Sequence, residues 1–239
     1  MIGGNQLNIE QLSKRLETVV SFINKGARIA DIGSDHAYLP CYAINKGIAS
    51  TAIAGEIVDG PYQSAVQQVK KAELTQEIEV RKGDGLSVIQ KGEVDTVVIA
   101  GMGGGLITQI LQEGAEKLDG VTQLILQPNI AAHHIRLWLL NNGWELKNEA
   151  ILEEDNKIYE ILMAEKGKTN KPYNQLEKEI LVGPFLLAEK NPVFLKKWTH
   201  EKNKLEKIID SLEHTESEEN QKRKAELQAQ LTMIVEVLS

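Results

Sequence analysis

The stretch Arg28-Ile-Ala-Asp-Ile-Gly-Ser-Asp-His-Ala-Tyr-Leu-Pro40 decides the fold of this chain. Its apolar first half predicts a buried strand that runs into Asp31, and Gly33-Ser-Asp35 predicts a tight turn. The residues from His36 onward are typical of a helix start. An open α/β sheet binds nucleotide-like ligands where a strand passes through a short glycine turn into a helix. We therefore predict that this turn is the centre of the functional site.

The turn departs from the dinucleotide-binding fingerprint, which needs three glycines where this chain has only Gly33. A carboxylate at Asp35, beside a helix N-terminus, repels phosphate and suits a ligand with a cationic amino or sulfonium group. The pattern Asp31-x-Gly33-x-Asp35-x-Ala37 resembles the first motif of class I S-adenosylmethionine-dependent methyltransferases. The alternative is a purely structural joint in which Asp35 or Ser34 caps the helix.

Acidic residues also follow two further predicted strands. Residues 51–57 predict a buried strand that carries Glu56, and residues 77–82 predict a strand that Asp84 and Gly85 follow. A carboxylate at Glu56 can accept hydrogen bonds from both ribose hydroxyls of an adenosine, and Asp84 can accept one from the adenine amine. The glycine allows the backbone to approach the ring. The alternative for Glu56 is a cap on the next helix.

Two later strands predict the opposite rim of the site. The apolar residues 95–100 lead into Gly101-Met-Gly-Gly-Gly105, where glycines permit close approach of a ligand, and we expect Gly101 and Met102 to contact the cofactor. The absence of a Gly-Lys-Ser/Thr ending argues against a Walker-type phosphate loop. The strand 124–126 ends in Gln127-Pro-Asn129, whose proline restricts the directions of the two amide side chains.

The order of elements predicts an α/β fold. Five strand-helix units, preceded by an amphipathic helix over residues 7–23, lead to an antiparallel pair of strands joined through residues 153–156. The expected result is a Rossmann-like domain over residues 1–166, with a seven-stranded, mostly parallel sheet and one reversed edge.

The remaining residues, 167–239, predict a helical domain. Apolar side chains at alternating spacings of three and four form two seams. The first seam contains Leu195, Trp198, Lys202, Leu205, Ile209 and Leu212, and the second contains Leu227, Leu231, Ile234 and Leu238. We predict an antiparallel coiled-coil hairpin whose arms are roughly 30 Å long at 1.5 Å per residue. The first arm is locally basic.

Composition limits the class of protein. The chain has 239 residues, of which 42% are hydrophobic and 26% charged, so it can bury a full core. The single Cys41 excludes an internal disulfide. We find no membrane span, signal peptide or metal-ligand cluster in the sequence, and we expect a cytoplasmic monomer. The net charge of -7 argues against nonspecific coating of nucleic acid, although a local basic face remains compatible with an RNA substrate.

Six stretches, taken together, resemble the bacterial tRNA (adenine(22)-N1)-methyltransferase family over nearly the whole chain. They are Ala30-Asp-Ile-Gly-Ser-Asp-His-Ala-Tyr-Leu-Pro40, Ala54-Gly-Glu56, Gly83-Asp-Gly-Leu86, Ala100-Gly-Met-Gly-Gly104, Leu126-Gln-Pro-Asn129 and Val182-Gly-Pro-Phe185. The resemblance implies an enzyme that uses S-adenosylmethionine to methylate N1 of an adenine in the D-loop region of tRNA. It also implies a Rossmann-like catalytic domain and a C-terminal coiled coil that contacts tRNA.

For that reaction, the residues at the rim become catalytic candidates. An amide oxygen such as that of Asn129 can accept a hydrogen bond from the exocyclic amine of adenine, while Asp35 or His36 can take up a proton after transfer. Tyr38 and Met102 are expected to pack against the cofactor or an unstacked base. Each also has a structural interpretation, as a cap, a turn residue or a core residue.

The candidate phosphate contacts are basic. They are Lys196, Lys197, Lys204, His134 and Arg136, although a charged helix face is often merely solvated. Alternatives for the function remain open. The same fold could methylate another RNA, a protein or a small molecule, or could serve as a scaffold without catalysis. A nicotinamide-dependent dehydrogenase is less compatible with the incomplete glycine fingerprint.

Overall fold

The computed structural model describes residues 11–212 and 217–239. The chain forms two compact units, residues 1–174 and 175–239, which meet later in the sequence than the boundary predicted after residue 166. The first part of the predicted helix 7–23 lies outside the described residues. Its described part is the helix α1, Lys14–Ser21, which is shorter than predicted and begins at a Ser13 cap.

The first unit contains a seven-stranded sheet. Its strands are β1 (Ala27–Ile32), β2 (Ala49–Glu56), β3 (Ile78–Lys82), β4 (Thr96–Gly103), β5 (Gln123–Ile130), β6 (Trp144–Glu154) and β7 (Lys157–Lys166). The further helices of this unit are α2 (Tyr38–Asn45), α3 (Asp59–Lys71), α4 (Gly104–Glu113) and α5 (Ala132–Asn141). Short 3-10 helices occupy Gly85–Val88 and Ala115–Leu118.

The strand order β3-β2-β1-β4-β5-β7-β6 confirms the Rossmann-like fold. The first five strands are parallel, so their carboxyl ends share one edge of the sheet. The chain proceeds outward from β1 to β3 and then returns to β4 on the other side of β1. That reversal creates the crevice in which open α/β sheets bind ligands.

The predicted position of the reversed strand is wrong. The reversed strand is β7, which is antiparallel to both β5 and β6 and lies between them. The edge strand β6 is therefore parallel to β5. A two-residue turn at Asp155 and Asn156, both with positive φ, joins β6 to β7, as expected for a tight hairpin. This turn lies at the same edge of the sheet as the carboxyl ends of the parallel strands.

Helices cover the apolar faces of the sheet. One core cluster joins α1 and α2 to the central strands. Its fully buried members include Val19, Ile29, Val98, Ile125 and Ile161. The central strands are buried on both faces, and the loops at their carboxyl edge lie where open α/β folds carry binding residues.

The second unit is helical. Its helices are α6 (Leu176–Val182), α7 (Pro184–Glu189), α8 (Pro192–Ser211) and α9 (Glu218–Leu238). The helices α8 and α9 pack against one another as the predicted hairpin, with Trp198, Leu205 and Ile209 buried on α8 and Ile234 and Val237 buried on α9.

One seam position was predicted wrongly, because Leu195 is 38% exposed while the adjacent Phe194 is fully buried. The Phe194 and Trp198 rings lie 6.2 Å apart on the same helix face. In the residues that the structure describes, no helix is both long and apolar enough to cross a membrane.

Candidate functional site

The turn after β1 has a left-handed backbone at several successive residues. Gly33 has φ +71°, and Asp35, His36 and Ala37 have φ values of +42°, +70° and +55°. Asp35 and Ala37 occupy the positions of the missing glycines, and both have adopted a glycine-like conformation. Because a right-handed helix cannot include such residues, α2 begins at Tyr38 rather than His36. Strained backbone of this kind is concentrated at functional sites.

The turn after β1 is held by backbone hydrogen bonds to Gly55 and packs against the Met102 side chain. The amides of Gly33 and Ser34 both donate to the carbonyl of Gly55, at 2.9 and 3.2 Å. A Cβ atom at Gly33 would displace the Met102 methyl group, and the φ of +71° disfavours any residue with a side chain there. The ends of β1, β2 and β4 therefore converge on this turn. The alternative role of Asp35 or Ser34 as a helix cap is not observed, since α2 has no side-chain cap.

Asp31 is a buried carboxylate at the end of β1. Its side chain is 4% exposed and accepts a hydrogen bond of 2.5 Å from the Ser34 hydroxyl. Burial raises the pKa of Asp31 to about 7, because the charged form loses its hydration, and the Ser34 hydroxyl opposes this rise. The nearby Glu56 carboxylate raises the pKa further. This pair of buried carboxylates makes the site a favourable environment for a cation.

Glu56 ends β2 and is 6% exposed. One carboxylate oxygen accepts a hydrogen bond from the Asp35 amide, which ties the strand end to the turn. Burial raises the pKa of Glu56, while the Asp35 amide opposes that rise. A carboxylate accepts about four hydrogen bonds in all, so Glu56 retains capacity for a diol ligand.

The third predicted acidic residue also lies at the carboxyl edge. Asp84 is exposed and precedes the 3-10 helix that begins at Gly85, where φ is +50°. The Gly83 amide donates to the Glu56 carbonyl at 2.9 Å, which brings this loop next to the end of β2. The structure thus places Asp31, Glu56 and Asp84 at the ends of three neighbouring strands.

The opposite rim is a network of amides. The Gln127 side chain is fully buried, and its oxygen accepts a hydrogen bond of 3.1 Å from the Gly101 amide. The Asn129 side chain donates to the Gly101 carbonyl at 2.7 Å. Gly101 has φ +82°, so its backbone can present both groups to the same strand end. Asn129 is exposed, which leaves its oxygen accessible from the crevice.

Arg15 is a site residue that the sequence did not single out. It lies on α1, and its guanidinium group donates to the same Gln127 oxygen and lies 5.3 Å from the centre of the Tyr159 ring. In the sequence it stands on the polar side of the amphipathic helix predicted over residues 7–23, where a basic residue is usually just solvated. No local signal could have distinguished it, because its contacts are made with residues more than a hundred positions away.

The two remaining candidates lie beside the turn. The His36 ring is half exposed, with its Nε2 atom 3.5 Å from the exposed Asp35 carboxylate. The His36 and Tyr38 ring centres are 5.6 Å apart, and Tyr38 also packs against the core. His36 and Asp35 are therefore accessible groups that could hold a proton.

These groups fit an S-adenosylmethionine molecule. The two buried carboxylates at adjacent strand ends match its cationic part and its ribose diol, and the exposed aspartate after the next strand matches its adenine amine. The exposed side chains of Ile57 and Val58 follow Glu56 and offer apolar surface to an adenine ring.

The comparisons with known proteins agree with this geometry. The family model for tRNA (adenine(22)-N(1))-methyltransferase matches residues 29–236. The chain belongs to this family. It is 52% identical over 235 residues to the tRNA (adenine(22)-N(1))-methyltransferase of Bacillus subtilis, covering 97% of this chain and 99% of the relative.

Solved structures of similar proteins share the whole fold. The crystal structure of the B. subtilis m1A22 tRNA methyltransferase aligns with a TM-score of 0.94 at 52% identity, covering 96% of this chain and all of that one. A Streptococcus pneumoniae protein solved in complex with S-adenosyl-L-methionine aligns with a TM-score of 0.86 at 42% identity, over 96% and 100% of the two chains.

In this tRNA methyltransferase family member, the predicted phosphate contacts have different environments. Lys196 and Lys204 are exposed on α8, and Lys197 lies 4.8 Å from the centre of the Trp198 ring. His134 is exposed on α5.

The assignment of Arg136 to phosphate binding is wrong. Its side chain is completely buried, and it forms ion pairs with Glu149 at 2.6 Å and Glu160 at 2.7 Å. A side chain that is enclosed in this way cannot reach an RNA backbone, so Arg136 instead joins α5 to β6 and β7.

Proposed function

We propose that this chain transfers the methyl group of S-adenosylmethionine to N1 of adenine 22 in tRNA. The observation that carries the proposal is the pair of buried carboxylates, Asp31 and Glu56, at adjacent strand ends opposite the amide rim. They occur in a chain 52% identical to the B. subtilis enzyme over nearly its full length. We further propose that the chain acts as a monomer in the cytoplasm, where its tRNA substrate is found.

Each part of the methyl donor has a matching group. We assign Glu56 to the ribose hydroxyls and Asp84 to the adenine amine, with Gly85 allowing close approach to the ring. Asp31 and Asp35 face the cationic part of the donor. Further contacts come from Gly33, Tyr38, Gly101 and Met102. When bound, S-adenosylmethionine supplies an electrophilic methyl group on a positively charged sulfur.

The residues at the amide rim orient the acceptor. Adenine N1 already carries a lone pair, so alignment at short range provides much of the rate. We propose that the Asn129 oxygen accepts a hydrogen bond from the exocyclic amine, which turns N1 toward the methyl group and stabilises the positive charge that develops on the ring. The Gly101 carbonyl at the same rim is a second acceptor of this polarity, whereas the Gln127 oxygen already accepts from Arg15 and the Gly101 amide. Asp35 or His36 can accept a proton after transfer.

The target adenine must leave its helix or stack, because N1 lies on the pairing edge of the base. Tyr38 and Met102 lie beside the turn and can pack against the extruded ring as well as the donor. For the rest of the tRNA, we assign phosphate contacts to Lys196, Lys197 and Lys204 on α8, and to His134 on α5.

The direct test is transfer of a tritiated methyl group to tRNA transcripts, followed by mass spectrometry of the nucleosides. We expect 1-methyladenosine in a transcript with adenine at position 22 and none in the same transcript with guanine there. Incorporation at another nucleotide, or into protein alone, would assign a different acceptor. Absence of both transfer and donor binding would instead support the scaffold alternative.

The same assay tests the lysine contacts. Replacement of Lys196, Lys197 and Lys204 by glutamate should raise the KM for tRNA and flatten its dependence on salt, since fewer counterions are released on binding. Replacement of Lys70, Lys71 and Lys91 by glutamate makes the same change in net charge elsewhere and serves as the control. Equal effects of the two triple variants would remove the assignment.

A further inference from the structure

We infer that Arg15 is a positioning residue that orients the Asn129 amide through Gln127. The inference rests on the proposed function and extends it to a residue on α1 that lies outside every motif of the sheet. The connection runs through side chains of α1 and β5 and through the backbone of Gly101 on β4, at the carboxyl edge of the sheet.

The first step is the orientation of Gln127. Its side-chain oxygen accepts hydrogen bonds from the Gly101 amide and from the Arg15 guanidinium group. Both groups are donors only, so the atom that they meet must be the oxygen and not the nitrogen. The nitrogen of Gln127 consequently faces the oxygen of Asn129, at 3.5 Å.

The second step is the orientation of Asn129. Its nitrogen donates to the Gly101 carbonyl at 2.7 Å, which leaves its oxygen on the side of the Gln127 nitrogen. At 3.5 Å that neighbour is a weak hydrogen-bond partner, so the Asn129 oxygen keeps a lone pair for the adenine amine. If Gln127 flipped, its oxygen would repel the Asn129 oxygen, and the acceptor would turn away from the crevice.

The third step is the placement of Arg15. The backbone amides of Lys14 and Arg15 donate to the two oxygens of Glu154, at 2.7 and 3.2 Å, which fixes the start of α1 at the end of β6. The Tyr159 ring, 5.3 Å from the guanidinium carbon, supports the side chain from β7. Arg15 is therefore held toward Gln127.

The test combines Arg15→Ala, Arg15→Lys, Gln127→Ala and the double variant Arg15→Ala/Gln127→Ala in the full chain, with tRNA methylation and calorimetric binding of S-adenosylmethionine as readouts. We expect Arg15→Ala to lower kcat on the order of 10- to 100-fold through misplacement of the acceptor. The KM for tRNA should change less than about twofold, because Arg15 is not among the assigned phosphate contacts. The Kd for the donor should shift only modestly, through the guanidinium charge that lowers the pKa of Asp31. Arg15→Lys should recover part of kcat, since an ammonium group can still donate to Gln127.

The double variant separates a positioning role from a direct one. If Arg15 acts through Gln127, the double variant is no slower than Gln127→Ala alone. Arg28→Ala removes an arginine from a surface ion pair at the opposite edge of the sheet and should leave kcat unchanged. Additive losses, or a raised KM for tRNA with a changed salt dependence, would overturn the inference.

Two further outcomes remain distinguishable. If Arg15→Ala does not fold, as judged by its thermal midpoint, Arg15→Lys replaces it. Its effect on kcat is then compared in the wild-type chain and in the Gln127→Ala variant. If the wild-type chain itself does not methylate tRNA, the proposed function fails, whereas an active wild type with additive variants contradicts only the role of Arg15.

Discussion

At the scale of single residues, Asp31 and Ser34 determine how the site responds to pH. A carboxyl group whose pKa is raised by burial is neutral below that pKa, so the free protein loses stability from this group as pH rises from 3.8 through about 7. A cationic ligand has the opposite preference, because it binds the ionised form. Donor affinity should therefore increase with pH through this window.

Ser34→Ala should shift that window to higher pH. The Ser34 hydroxyl stabilises the ionised form of Asp31, and its removal raises the pKa of the carboxyl group further. Calorimetric titration with S-adenosylmethionine at a series of pH values measures the midpoint. Ser50→Ala, which removes a hydroxyl that donates to the Ala27 carbonyl at the other edge of the sheet, is the control. An unchanged midpoint in Ser34→Ala would show that Asp31 does not titrate with the ligand.

Some residues of the site could be predicted from sequence and others could not. Asp31, Glu56 and Asp84 each follow a strand signal, and parallel strands bring their ends to one edge, so their proximity was predictable. The left-handed backbone at His36 was not, because ordinary residues disfavour it and only the packed turn enforces it. Arg15 was missed because its partners are distant in sequence.

At the scale of elements, the reversed strand β7 and the helix α5 share a buried ion network. Arg136 looked like a surface residue because arginine is rarely enclosed, and nothing near it in sequence indicates its partners. Glu149 and Glu160 come from β6 and β7, which form an antiparallel hairpin. Because β7 lies between β5 and β6, its Glu160 reaches the buried Arg136. Sequence periodicity could not reveal this buried charge.

Arg136→Met should strongly destabilise the protein. The change leaves two carboxylates buried without their cation, which costs about 3–5 kcal/mol when one partner of a buried pair is removed. Arg28→Met breaks the half-exposed pair with Asp95 and should cost roughly 1 kcal/mol or less. Urea unfolding measures both. Similar losses of unfolding free energy in the two variants would contradict the structural role assigned to Arg136.

The helical hairpin shows how far spacing alone can predict packing. Alternating intervals of three and four correctly located the buried side chains at Trp198, Leu205, Ile209 and Ile234. At the start of α8, Phe194 is buried in place of Leu195, because the larger ring packs along the helix against Trp198. Spacing identifies a face, whereas the end of a seam depends on which side chain fills the available space.

At the scale of the whole molecule, the protein carries a net negative charge although its substrate, tRNA, is a polyanion. A net charge of -7 means that attraction to tRNA must come from local groups rather than the overall field. We propose that the exposed lysines of α8 are such groups. The fold and family could be predicted from the sequence, because the motifs at the strand ends span most of the chain. The division into two units falls after Asn174, whereas the sequence predicted it after residue 166.

The central claim is that buried acidic strand ends bind the methyl donor. Calorimetry with S-adenosylmethionine on the wild type, Glu56→Ala and Glu79→Ala tests it most directly. Glu79 is a glutamate on the neighbouring strand β3, 64% exposed and paired with Arg81, so it controls for loss of a carboxylate. We predict saturable binding by the wild type and Glu79→Ala, with binding lost in Glu56→Ala. Undiminished affinity in a folded Glu56→Ala variant, or no binding by the wild type, would contradict the account.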